Sequence, residues 1–315
     1  MSAVNGHGAN TLPVSVVIAC HTQERWSSLV RAIESALAQR PAPLRVIVAV
    51  DHNVALRERL ARELPQVTVV DNEGSSGASG TRNSGARHAD TPYIAFLDDD
   101  AHARAGWLEQ LLAPFAREDV VGTGGRVDPE WASARPRWFP DEFAWVVGAS
   151  YTGMPEMTAP VRNVWSENMA VRRDVFEEVG GFRADFGKVG HTSRPEDTDL
   201  CIRMGASAPG RRWVYVPAAL VGHHVPPERC TRGFFLRRSF WEGQGKIEMS
   251  RHLAHERDLG SESEYLRKTI PAGLARNLRA AATERSGEPA ERAAAILAGT
   301  AAAGLGAAVA LVRRA

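Results

Sequence analysis

The chain alternates between short apolar runs and longer stretches whose apolar residues recur every three or four positions. Val14-Ser15-Val16-Val17-Ile18-Ala19, Leu44–Val50, Val67–Val70 and Tyr93-Ile94-Ala95-Phe96-Leu97 are apolar and partly β-branched, and they predict strands. Between them, Trp26–Gln39 sets Leu29, Ile33, Ala36 and Leu37 at helical spacing, and Ala55–Leu64 reads as a charged amphipathic helix. Ala78–Ala89 follows the loop Gly74-Ser75-Ser76-Gly77 and predicts a third helix. Gly106–Arg117 predicts a fourth, and Val120-Val121 opens another strand. Strands alternating with helices predict an α/β domain with a parallel, doubly wound sheet over roughly the first 125 residues.

The rhythm breaks between Arg126 and Trp165, where five prolines are interleaved with Trp131, Trp138 and Trp145. These tryptophans are either core anchors or a platform for sugar rings. Regular elements return with Glu167–Val171, a helix over Arg173–Val179 stopped by Gly180-Gly181, a helix over Glu196–Met204 and a strand at Trp213–Val216. A long basic helix is expected over Phe234–His255, and Glu284–Glu291 reads as a polar linker. The expected organisation is a disordered lead-in at residues 1–12, an α/β half at 13–125, a second half of the same domain at 126–256, and a helical tail at 257–315.

Ala293–Val312 carries no charge and is long enough to span a bilayer, but it is built mainly of Ala and Gly, which supply little transfer energy. A spanning anchor, a helix lying on the membrane surface and a helix packed on the domain all remain open. At 315 residues, 44% hydrophobic and 24% charged, the chain has ample material for a core. A formal net charge of +1 excludes a global attraction to nucleic acid. Cys20, Cys201 and Cys230 are odd in number and widely spaced, which argues against a disulfide framework or a zinc site and for a reducing, cytoplasmic setting. The first residues lack the basic and apolar regions of a signal peptide.

The chemistry is concentrated where the fourth strand ends in Asp98-Asp99-Asp100. Three adjacent carboxylates repel one another unless a cation or several donors offset them, and ligands of open α/β sheets bind beyond the carboxyl ends of strands. From an extended backbone Asp98 and Asp100 point the same way and could share one hard divalent cation, although an acidic turn after a strand is an ordinary feature as well. A second acidic pair, Glu196-Asp197, opens a helix, where carboxylates also serve simply to complement the helix dipole.

In their order these pieces resemble the family 2 glycosyltransferases. The resemblance runs from about Val14 to Lys246 and is carried by Val16-Val-Ile-Ala-Cys-His21, Gly80-Thr-Arg-Asn-Ser-Gly85, Phe96-Leu-Asp-Asp-Asp100, Asn168–Phe182 and Arg194-Pro-Glu-Asp-Thr-Asp199. It implies a GT-A fold, meaning a doubly wound mixed sheet with flanking helices, here with a C-terminal helical extension. It also implies an inverting transfer of one sugar from a nucleotide-sugar donor to a glycan, lipid-linked or small-molecule acceptor.

The resemblance places Ala19, His21, Glu24 and Asp51 around the base and ribose, and Arg82, Asp98 and Asp99 at the ribose and diphosphate. Asp100, with His223 or His224, is the expected holder of Mg²⁺ or Mn²⁺. Asp197 is implied as the general base, with Glu196 positioning the acceptor or orienting its neighbour. Asp51 reads equally as a turn residue, and the histidines as core or loop residues. The family often shows a Pro and a Tyr-Asn at the first loop and a doubled acid after the second strand. This chain has Ala19-Cys20-His21 and Asp51-His52, so UDP is the default nucleotide only. Arg232, Arg237, Arg238 and Lys246 are candidates for a lid over the diphosphate or for a face toward anionic lipid. A nucleotidyltransferase and a non-catalytic nucleotide-sugar-binding protein are the alternatives.

Overall fold

The computed structural model describes residues 11–183, 187–189, 192–252 and 263–312. The first ten residues of the expected lead-in, and the expected helix end at His255, lie outside them. Thr11 and Leu12 already belong to the first strand. The strands are β1 (Thr11–Cys20), β2 (Ala42–Val50), β3 (Thr68–Asp71), β4 (Tyr93–Asp98), β5 (Ala101–Ala103), β6 (Val120–Trp131), β7 (Ala159–Val161), β8 (Asn168–Arg172), the short β9 (Gly187–Val189) and β10 (Thr192–Arg194), and β11 (Arg212–Val225). The helices are α1 (Trp26–Leu37), α2 (Val54–Glu63), α3 (Ala78–Arg87), α4 (Trp107–Leu112), α5 (Arg173–Glu178), α6 (Glu196–Ala206), α7 (Arg232–His252), α8 (Ile270–Thr283) and α9 (Glu288–Val312).

The chain divides into two compact units, one holding residues up to Val127 with Pro155–Val189 and Glu196–Gly222, the other Asp128–Met154, Gly190–Pro195 and His223–Ala315. Residues 155–189 and 196–222 group with the first unit because their strands and helices complete its sheet and cover it.

A nine-stranded sheet runs in the order β3-β2-β1-β4-β8-β6-β11-β5, with β7 pairing to β11. β1 lies parallel to both β2 and β4, whereas β8 is antiparallel to β4 and to β6. The sheet is therefore mixed, as the family resemblance implied, with β3, β2, β1 and β4 parallel and β8 antiparallel to both its neighbours. Burial on both faces explains why the strands read as continuous apolar runs. On one face Val16, Ile18, Val48 and Leu97 pack with Leu29, Ile33, Leu56 and Trp107 of the covering helices. On the other, Val17, Ile47 and Phe96 pack with Ala86, Phe176, Leu200 and Met204. The Gly80–Gly85 signature has a steric origin here. A Cβ at Gly85 would lie 2.5 Å from Val17 Cγ1, and one at Gly80 2.2 Å from the Ser75 carbonyl oxygen. Only glycine lets α3 approach the sheet and its own preceding loop this closely.

The second unit has its own core of Phe139, Phe143, Val147, Phe235, Ile270 and Ile296, with Trp131, Trp138 and Trp145 packed against it. The three tryptophans thus act as anchors of that core. β6 extends through Trp131 into what the sequence presented as irregular chain, and β11 extends well past Val216 to Val225. α9 packs on α7 with almost no space between backbones: a Cβ at Gly243 would lie 1.9 Å from the Ala303 carbonyl oxygen, and one at Gly306 1.9 Å from that of Phe240. The small residues of the Ala-Gly run are an interhelical contact surface.

Candidate active site

The strand order reverses direction between β1 and β4, and the crevice at such a switch point is where an open α/β sheet receives ligands. Asp98, the last residue of β4, stands opposite Ala19 of β1 in register. Arg82 reaches it from α3: its Nη2 donates to Asp98 Oδ1 at 2.6 Å, while its Nη1 lies 3.6 Å from Glu196 Oε1 at the start of α6. The Arg82 side chain is only 7% exposed, so this contact is made away from solvent. Burial alone would disfavour the guanidinium charge, but Asp98, Asp197 and Glu196 together outweigh it and hold the charged form more firmly than in water. One buried arginine therefore joins the strand-end acids to the helix-start acids.

Glu196 and Asp197 share a single microenvironment. Burial, then repulsion from Asp197, pushes the Glu196 carboxyl up to about 7, against the pull of Arg82. Asp197 is raised by burial as well, opposed by Arg82 and by hydrogen bonds from the side chain and backbone of Ser166. Its Oδ1 is buried and has no hydrogen-bond partner. An acid of elevated proton affinity with one free oxygen is suited to accept a proton. Burial with this geometry exceeds what dipole complementarity at a helix start requires.

Asp99 and Asp100 face a different cation. Arg25 sits where the 3-10 turn Gln23–Arg25 meets α1, and its Nη1 donates to Asp99 Oδ1 at 3.0 Å and to Asp100 Oδ2 at 3.1 Å. Burial and the neighbouring Asp100 charge push the Asp99 carboxyl up to about 7 despite Arg25. No sequence motif pointed to Arg25, because its role depends on where α1 begins relative to β4.

The residues expected around the nucleoside are arranged unevenly. Asp51, just after β2, accepts from Asn72 Nδ2 at 2.7 Å, from Ser76 Oγ at 2.9 Å and from the Gly77 N–H at 2.9 Å. It clasps the loop that leads into α3, and three of roughly four acceptor sites on a carboxylate are thereby used. His21 is exposed and its carbonyl accepts from Asn53 Nδ2 at 3.0 Å. Glu24 is exposed, and its N–H donates to Thr22 Oγ1 at 3.2 Å.

His223 and His224 end β11 in the second unit, the first buried and the second half-buried. Within that unit the α7 cations have local partners. Arg232 pairs with Glu291 at 2.9 Å, Arg238 with Glu242 at 3.0 Å and Lys246 with Glu242 at 3.5 Å, and Arg237 lies over the Trp241 ring. All three cysteines are free, two of them buried.

Among the described residues no three His, Cys, Asp or Glu side chains form a ready-made ligand set. The donors nevertheless suit a hard divalent cation. They are carboxylate oxygens gathered at a strand end beside Arg25 and Arg82, and Asp99 Oδ2 is buried without a hydrogen-bond partner. Mg²⁺ and its relatives are commonly held by one or two carboxylates plus substrate phosphates, which needs no protein cage.

A mixed, doubly wound sheet with acids gathered at its switch point is the architecture of GT-A glycosyltransferases. Two solved examples share it at 17% sequence identity. The mannosyltransferase PcManGT of Pyrobaculum calidifontis, determined with GDP-Man and Mn²⁺, superposes with a TM-score of 0.59 over 96% of this chain and 88% of its own. GalNAc-T7, determined with UDP, GalNAc and Mn²⁺, superposes with a TM-score of 0.52 over 78% of this chain, and the match spans 52% of the GalNAc-T7 chain, about half its length.

The family itself follows from sequence. Residues 15–180 match the family described as glycosyl transferase family 2. The glucosyl-dolichyl phosphate glucuronosyltransferase of Haloferax volcanii is 31% identical over 300 residues, covering 94% of this chain and 95% of the relative. The succinoglycan biosynthesis protein ExoM of Rhizobium meliloti is 26% identical over 78% of this chain and 77% of its own. The chain belongs to glycosyl transferase family 2 and is a glycosyltransferase, which removes the nucleotidyltransferase and the non-catalytic binding protein from consideration.

Proposed function

We propose that the protein transfers one sugar, with inversion, from a nucleotide-sugar to an acceptor hydroxyl, with Asp197 as general base. The observation that carries this reading is Arg82, which binds Asp98 on the donor side and faces Glu196 on the acceptor side. Direct displacement at an anomeric carbon needs one base opposite the leaving group, and Asp197 offers a free, buried oxygen of raised proton affinity. The Ser166 contacts hold that carboxylate in place. Asp98 and Arg82 would meet the ribose and diphosphate, and Asp51 retains acceptor capacity for a base N–H such as that of uracil.

A divalent cation held by Asp100, with Asp98 and the donor's own phosphates, would offset the charge that develops on the departing diphosphate. The Mn²⁺ in the related solved structures supports this choice of ion. The test is nucleoside diphosphate release from UDP-, GDP- and dTDP-sugars, UDP-glucuronate included, with and without Mn²⁺. One UDP-sugar is expected to turn over, EDTA to stop it, and Asp100→Ala to lower it at least a hundredfold. Unchanged turnover in EDTA would remove the cation from this reading, and turnover of GDP-sugars alone would overturn the UDP assignment.

We further infer a lipid-linked acceptor met at a membrane surface. The relative from Haloferax volcanii is named for a dolichyl phosphate-linked substrate. α9 is long and apolar enough to cross a membrane by length and composition. However, Ala293, Ile296 and Ala310 are buried on its inner face while Leu297, Leu305, Leu311 and Val312 are 56–72% exposed on the outer one. That division favours a helix held by α7 and lying in the interface over one that leaves the protein to span. Leu297→Glu with Leu305→Glu is expected to abolish co-sedimentation with phosphatidylcholine–phosphatidylglycerol vesicles. Equal sedimentation of that variant, or resistance of the wild type to alkaline extraction, would refute the in-plane arrangement.

A further inference from the structure

We propose that Arg25 is a cationic latch across Asp99 and Asp100 that an incoming divalent cation must displace, so that the cation is taken up together with the donor diphosphate and not ahead of it. The inference rests on the metal reading above and goes beyond it by assigning a role to a residue outside every motif.

A single nitrogen, Arg25 Nη1, lies within 3.1 Å of both carboxylates. Arg25 holds one oxygen of each carboxylate, so a cation on the same side chains would lie close to its guanidinium, and the two positive charges repel. The repulsion is relieved when one of the two moves away, and the exposures say which. The Asp99 and Asp100 side chains are 8% and 10% exposed, while Arg25 is 40% exposed at the end of a long, flexible stem.

Arg82 makes the contrast. It is 7% exposed and engaged by Asp98 and Glu196 on two sides, so it has no path to solvent. Of the two arginines at the acidic cluster, one is a fixed strut and the other a side chain anchored only at its tip. The released Arg25 guanidinium has a natural partner in a diphosphate, whose oxygens match its planar fork. By linkage, whatever draws Arg25 off the acids strengthens cation binding, and the reverse holds equally.

The experiment is Mn²⁺ binding followed by electron paramagnetic resonance of the free ion, which is independent of turnover. Wild type, Arg25→Gln, Arg25→Lys and Arg31→Gln would be titrated with Mn²⁺ alone and in the presence of UDP or GDP. Arg31, on α1, bonds His102 at 2.8 Å and so controls for simple removal of a nearby positive charge. Arg25→Gln is expected to bind Mn²⁺ alone about tenfold more tightly than wild type, a coupling of ordinary size. It should lose most of the enhancement that nucleotide gives the wild type.

Arg31→Gln should change the affinity less than twofold, and Arg25→Lys should fall between wild type and Arg25→Gln. Asp100→Ala in the Arg25→Gln background should abolish the gain. If wild type binds Mn²⁺ with nucleotide but Arg25→Gln shows no gain without it, or if Arg31→Gln matches Arg25→Gln, the latch is wrong and the metal reading stands. If no variant binds Mn²⁺ under any condition, both fall.

Discussion

Asp197→Asn is expected to lower kcat by about a thousandfold while nucleotide affinity stays within a few-fold of wild type. The magnitude is that of a positioned general base, and the split follows from the geometry. Donor-side contacts are assigned to Asp98 and Arg82, whereas the Asp197 Oδ1 that lacks a partner would meet only the acceptor. Asn keeps the size of the side chain and an oxygen to accept from Ser166. Removing one charge from a crowded acidic pair should leave the thermal midpoint unchanged or slightly raised.

The pH dependence gives a second reading. A base must be ionised, so kcat/KM should rise with pH through an acidic limb that belongs to the coupled Glu196–Asp197 pair. Burial raises both groups, repulsion from Asp197 adds to it at Glu196, and repulsion from Asp98 adds to it at Asp197. Glu196→Gln removes the repulsion, lowers the proton affinity of Asp197 and should move the limb to lower pH. Retention of more than a tenth of wild-type kcat in Asp197→Asn would exclude it as the base.

The second large effect is expected at Arg82→Met, and it should appear in stability before activity. Methionine fills much of the volume but leaves Asp98, Glu196 and Asp197 without their shared counter-charge. Deleting one partner of a buried ion pair costs roughly 3–5 kcal/mol. At about 2–4 °C per kcal/mol for a domain of this size, the thermal midpoint should drop on the order of 10 °C. The loss has a definite pH sign. With Arg82 gone, Glu196 and Asp197 lose the charge that opposes their burial and bind protons more tightly in the folded state than in the unfolded one, so stability should fall as pH rises through neutrality. Lowering the pH to 6 should recover part of it. Arg82→Lys should recover less than a charge count suggests, since one ammonium cannot reach both acid groups as a fork does. A midpoint within 2 °C of wild type at pH 8 would show that Arg82 does not bear this load.

Much of this protein is local and therefore readable along the chain. β1–β4 and α1–α3 begin and end close to where apolar periodicity, glycine loops and helix-stop residues put them, because burial on both faces of the sheet leaves a periodic record. Asp98 at the strand end and Glu196-Asp197 at a helix start were legible for the same reason, and the order of the motifs pointed to the family. Other features leave no such record. β5 is too short for periodicity, and β6 was obscured by Pro129, which falls near the end of an extended strand. The polar segment expected as a linker up to Glu291 turns helical at Glu288, since packing of the apolar run on α7 carries the helix back into it.

What the sequence determined by itself is the class of fold, the family and the two places along the chain where acids gather. What only the tertiary structure decided is how those acids are compensated. Arg82 stands between Asp98 and Glu196, Arg25 bridges Asp99 and Asp100, and Asp51 is spent largely on the loop before α3. It also decided that one side of the Ala-Gly helix is buried on α7 while the other is left apolar and exposed. The reason is physical: periodicity and turn chemistry act between near neighbours, whereas the partner of a buried charge is fixed by strand register and helix placement across distant parts of the chain.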